Sequence, residues 1–99
     1  MKEGQLERRL KREVMKLGGQ ALKFVSPGMA GVPDRIVLLP NGRIHFVEMK
    51  APGEKLRPLQ EKRAKDLTLL GFSVYMIDSL ESIDSFIKEV QDAQSKNSL

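Results

Sequence analysis

Asn41-Gly42 lies between two apolar runs, Arg35–Leu39 and Ile44–Lys50, and no other stretch restricts the fold of this chain as tightly. Both residues tolerate a left-handed backbone, so this pair between apolar runs is the strongest short-range signal for a β-hairpin. The turn Pro40-Asn41-Gly42-Arg43 therefore joins two neighbouring antiparallel strands. Arg35-Ile36-Val37-Leu38-Leu39 is β-branched and apolar, and reads as a strand buried on both faces. In its partner, alternation places Ile44, Phe46, Glu48 and Lys50 on one face and Val47 and Met49 on the other.

The rest of the chain arranges itself around that hairpin. Leu6, Leu10, Val14 and Leu17 form one stripe of a helix over Glu3–Leu17, stopped by Gly18-Gly19. Ala21–Val25 reads as a short strand, and Ser26–Pro33 as a loop with two prolines and two glycines. A second helix runs from Arg57 to Leu70, with Pro58 in its first turn and Gly71 as its stop. Ser73–Ile77 is a fourth strand. Ser79 or Ser82 caps a last helix through about Val90, and the polar tail Asp92–Leu99 is expected to fray. The order α-β-β-β-α-β-α makes one α/β domain over residues 1–99. Strands one to three form an antiparallel meander. The helix before strand four makes a right-handed crossover, giving a mixed four-stranded sheet flanked by helices on both faces.

Charge on an inner strand must be explained. Glu48 and Lys50 share a face with apolar neighbours, and burying them costs free energy unless a partner is present. Counting symmetrically about Asn41-Gly42, Asp34 faces Met49 or Lys50, within a residue or two of Glu48. One hairpin thus delivers Asp34, Glu48 and Lys50 to one end of the sheet. Two carboxylates and a backbone carbonyl suit a hard cation such as magnesium, with room left for water and a phosphate oxygen. The metal activates a water, and the adjacent ammonium orients it or stabilises the developing negative charge. Glu7 borders the buried helical stripe and is a fourth candidate. Its plainer reading is a solvated residue paired with Lys11 one turn on.

Composition narrows the partner. A net charge of +4 and a pI of about 9.6 are compatible with a polyanion, since each neutralised phosphate releases a counterion. Five aromatic residues fall on apolar positions, so no platform for stacking single-stranded bases is evident. Without cysteine there is no disulfide and no thiolate metal site. No apolar run reaches membrane length, and Met1-Lys2-Glu3-Gly4 leads into a charged helix, so the cytosol is the expected compartment. His45, the single histidine, reads as solvated or on an edge strand. Lys55, Arg57, Lys62, Arg63 and Lys65 are half solvated face and half candidate contacts to a DNA backbone. Ser26, in the loop ahead of Asp34, is a candidate hydrogen-bond donor to phosphate.

Gly31-Val32-Pro33-Asp34, Phe46-Val47-Glu48-Met49-Lys50 and Gln60 together resemble the PD-(D/E)xK nuclease superfamily. More narrowly, they resemble its VRR-NUC family, whose small stand-alone members occur in phages and bacteria. The resemblance spans Glu7 to about Ile77. It implies a restriction-endonuclease-like core and a DNA endonuclease dependent on Mg2+ or Mn2+. Asp34 and Glu48 would be metal ligands with the Met49 carbonyl, and Lys50 the catalytic lysine. Gln60 would border the site, and Glu7 would be the helix-one glutamate that completes it. The resemblance further implies a homodimer resembling Holliday-junction resolvases, acting on branched DNA without a small-molecule cofactor or a membrane. The family's namesake Val-Arg-Arg string is absent as such; Leu56-Arg57-Pro58 and Glu61-Lys62-Arg63 lie in that region. The competing classes are a non-catalytic DNA-binding module on the same fold, and a nuclease for flaps or ordinary duplex.

Overall fold

A computed structural model of the chain describes residues 3–97. Its elements are α1 (Glu3–Lys16), β1 (Gln20–Lys23), β2 (Arg35–Leu39), β3 (Arg43–Met49), α2 (Pro58–Leu69), β4 (Ser73–Ile77) and α3 (Leu80–Asn97). The strands lie in the order β1-β2-β3-β4. β1, β2 and β3 are mutually antiparallel, and β4 runs parallel to β3 after the α2 crossover. The expected topology is therefore the observed one.

α1 and α3 cover one face of the sheet. Leu6, Leu10 and Val14 from α1 meet Val37, Leu39, Val47, Met49 and Ile77 from the strands and Ile83, Phe86 and Val90 from α3. The i, i+3/i+4 spacing of the helical residues is what turns one stripe of each helix inward. α2 lies on the opposite face, where Gln60 and Ala64 stand against Glu48, Val74 and Met76.

That far face is only partly covered. α2 packs against β4, at one edge of the sheet, so Leu38 and Ile44 remain 36% and 39% exposed. The expectation that Arg35–Leu39 is buried on both faces fails here: burial is one-sided, with Val37 and Leu39 turned inward. His45 also departs from expectation. β3 is an inner strand, and His45 sits on its core side beside Tyr75 and Phe86, at ring distances of 5.9 and 6.1 Å. Both ring nitrogens are shielded and have no hydrogen-bond partner among the described residues. Burial, aided by the Arg43 charge, holds its pKa below the ordinary value and keeps the ring neutral.

Two further differences lie at element ends. The hairpin loop has three residues, Pro40–Gly42, with Leu39 opposite Arg43. Asn41 and Gly42 both take positive φ, 69° and 71°, which suits their residue types. α3 is capped by Ser79, whose Oγ accepts the Ser82 N–H at 3.1 Å. The helix continues through Asn97, so residues 92–97, expected as a frayed tail, are helical. Residues 98–99 of that tail lie outside the described residues.

Candidate active site

The hairpin register determines which groups meet. Arg35 pairs with Val47, so Asp34, the residue just before β2, falls opposite Glu48. The three-residue loop shifts the pairing by one position from the symmetric count. As a result the two carboxylates approach more directly than the sequence predicted. Asp34 Oδ1 accepts the Met49 N–H at 3.1 Å. In return, the Asp34 backbone N–H bonds to the Glu48 carboxylate. The N–H and C=O of one strand residue point toward the same side, so the Met49 carbonyl shares the side of its N–H, toward Asp34.

Asp34, Glu48, Met49, Lys50 and Gln60 line one cavity of about 610 Å3, with Gly31, Leu59 and Arg57 also in its wall. Glu48 and Lys50 are buried, 6% and 7% exposed. Burial drives the Glu48 pKa up to about 7, and the neighbouring Asp34 charge adds to the rise. Lys50, the Asp34 N–H and Arg57 pull it back only in part.

Gln60 is held from two sides. Its Oε1 accepts the Arg57 N–H at 2.9 Å, which caps the start of α2. Its Nε2 donates to Glu48 Oε1 at 3.2 Å. Because the acceptor end is taken by a backbone donor, the amide presents its N–H to the carboxylate. One side chain thereby fixes both the helix start and the Glu48 rotamer.

Among the described residues, no three His, Cys, Asp or Glu side chains gather as a metal-ligand group. The oxygen donors here are two carboxylates and the Met49 carbonyl, all of the hard type that Mg2+ or Mn2+ prefers. Two adjacent carboxylates, one with a raised pKa, also make a pair whose repulsion a divalent cation relieves. The residues present therefore fit such an ion.

The other predicted site residues are distributed as follows. Glu7 pairs with Arg35 rather than Lys11 and lines a separate cavity, so the structure does not bring it to the Asp34–Glu48 pair. Arg57 lines the Asp34–Glu48 cavity. Lys55 and Lys62 are exposed on either side of it along the chain and do not line it, and neither does half-buried Ser26.

Residues 1–80 match the VRR-NUC domain family. The chain belongs to that family. "Putative nuclease p44" of Acyrthosiphon pisum secondary endosymbiont phage 1 is 54% identical to it over 79 residues, covering 80% of this chain and 85% of that protein. A solved structure titled as a VRR_NUC domain superposes with a TM-score of 0.82 at 32% identity, covering 87% of this chain and 94% of that one.

In this VRR-NUC domain three residues have structural roles that the sequence did not assign to them. Arg35 donates from Nη1 to the Asp34 carbonyl at 2.9 Å while its other nitrogen meets Glu7, so it steadies the main chain beneath Asp34. Arg63 Nε donates to the Ala30 carbonyl at 3.0 Å and ties the loop before Asp34 to α2. Gly31 takes φ 87°, and a Cβ there would lie 2.7 Å from Leu59 Cγ and 2.9 Å from its carbonyl oxygen. The glycine of Gly31-Val32-Pro33-Asp34 is thus needed for the loop to press against α2. Charge alternation gave no hint of Arg35, because an arginine at a strand start looks like a solvated end. Among the described residues, no helix is long and apolar enough to cross a membrane.

Proposed function

We propose that this VRR-NUC domain is a DNA endonuclease that hydrolyses phosphodiester bonds with Mg2+ or Mn2+ held by Asp34, Glu48 and the Met49 carbonyl. The observation that carries the proposal is the hydrogen bond from the Met49 N–H to Asp34 Oδ1, which sets both carboxylates and Lys50 around one cavity. A divalent ion bound there supplies Lewis acidity toward the scissile phosphate and lowers the pKa of water.

The chain's own groups do the remainder. Lys50 keeps a buried ammonium beside the carboxylates, where it stabilises negative charge growing on the phosphate. Gln60 holds Glu48 in one rotamer, so the donor pair is organised before substrate arrives. Arg57 at the cavity wall neutralises the phosphate that enters, while Lys55, Lys62 and the Ser26 hydroxyl meet flanking phosphates. Glu7, engaged by Arg35, stands outside the donor set.

Branched DNA, four-way junctions first, is the substrate. A junction has near two-fold symmetry, and a homodimer presents two sites to two strands. The protein works in the cytoplasm, which is the bacterial host's cytosol if a phage encodes it. The test is cleavage of labelled four-way junctions, flaps and linear duplex with Mg2+ or Mn2+, comparing wild type with Lys50→Ala. Cutting of the junction by wild type and loss in the variant is the expected result. Wild-type binding without cutting under any divalent ion makes the domain a binding module, and preference for flaps or duplex overturns the junction assignment.

A further inference from the structure

A second cavity of about 380 Å3 opens between α1 and the β1–β2 edge, walled by Glu7, Arg8, Lys11, Lys23 and Arg35. Its charge balance is lopsided. The carboxylate of Glu7 is taken by Arg35, whose side chain is only 11% exposed. The helical partner expected for Glu7, Lys11, is thereby left over. Farther along α1, Glu13 is spent on Arg9 and Lys16. Among the described residues, no carboxylate forms an ion pair with Arg8, Lys11 or Lys23. Three exposed cations therefore converge on a concave surface with no acid to balance them.

The position of this cleft matters as much as its charge. Lys23 is opposite Arg35 in the β1–β2 ladder. The next residue of β1's chain, Phe24, donates its N–H to the Asp34 carbonyl at 2.9 Å, and Arg35 holds the same carbonyl. The cationic cleft on the α1 side and the Asp34–Glu48 cavity on the α2 side therefore lie back to back at the same end of the sheet, joined through the Asp34–Arg35 peptide. A polyanion lying across that end of the sheet meets both.

We propose that the α1–β1 cleft is a second binding site for the phosphodiester backbone of DNA, gripped by Arg8, Lys11 and Lys23. It deepens the nuclease reading and rests on it for the identity of the polyanion. The cleft holds the strand on the far side of Asp34 from Arg57, so that backbone is clamped on both sides of the scissile phosphate. These contacts are to phosphate and carry no sequence information.

The test measures binding of the full chain to a labelled four-way junction in EDTA over a salt series, where no cutting intervenes. The variants are Arg8→Ala/Lys11→Ala/Lys23→Ala and a control, Lys16→Ala/Lys88→Ala, on exposed positions elsewhere. Each lost phosphate contact lowers the slope of log K against log salt by about one, so the triple variant should lose about three. The control should lose much less per charge. Equal slopes for wild type and triple variant, or an equal loss per charge in the control, overturn the cleft assignment while leaving the nuclease reading standing. A wild type that binds no DNA at any salt overturns both. All five positions are exposed, and circular dichroism of each variant checks the fold.

Discussion

Glu48→Gln should make the metal-free protein more stable while ending its activity. The Glu48 carboxyl titrates near 7 when folded, against 4.5 for a free glutamate. The folded state therefore binds more protons than the unfolded chain between those values, and stability falls as pH rises through that window. Below pH 4.5 the penalty is absent; above 7 it is complete. A shift of about 2.5 units at 1.36 kcal/mol each sets a ceiling of about 3.4 kcal/mol. The carboxylate faces a partly open cavity that Lys50 also lines, so screening reduces this to about 1–2 kcal/mol. Glutamine retains an acceptor for the Gln60 amide and the Asp34 N–H. The assay is urea unfolding in EDTA at pH 5 and pH 8.5. The variant should exceed wild type by about 1–2 kcal/mol at pH 8.5 and by roughly a quarter of that at pH 5. A variant no more stable than wild type at pH 8.5, or a gap that ignores pH, would refute the argument that burial and Asp34 strain this carboxylate.

Metal linkage gives the converse result. Mg2+ or Mn2+ at 100 times its Kd should stabilise wild type by about 2.7 kcal/mol and leave Asp34→Asn and Glu48→Gln nearly unmoved, as read by thermal unfolding. Gln60→Ala removes both the Glu48 contact and the α2 cap; it should cost about 1 kcal/mol of stability, and single-turnover cleavage should slow more than DNA binding weakens. Gly31→Val should destabilise by about 1–3 kcal/mol, from positive φ and from the clash with Leu59, and crystals should show the loop lifted from α2. Asp34→Ala should abolish cutting with the fold intact by circular dichroism; an unfolded product would mean the acid is structural.

Local signals carried most of the architecture. Asn41-Gly42 announced the hairpin, the Leu6–Leu10–Val14 stripe announced α1, and the boundaries of β4 were legible residue for residue. Asp34, Glu48 and Lys50 were legible because a hairpin converts sequence distance into proximity. What stayed hidden was set by packing across distance. The one-position shift in register depends on Pro40 joining the loop. The one-sided burial of β2 depends on where α2 comes to rest. His45 reads as a polar residue until α3 places Phe86 over it. The Glu7–Arg35 pair joins residues twenty-eight positions apart, from 7 to 35, on different elements, and no helical spacing rule reaches that far.

The double duty of Gln60 has a consequence for when the enzyme is competent. A single amide spans the first turn of α2 and the carboxylate on β3. Melting that turn frees Glu48 to swing, so a chain whose crossover helix has yet to form carries its acids without their arrangement. The arrangement of the acid pair is therefore tied to the first turn of the crossover helix, and the two are gained or lost together.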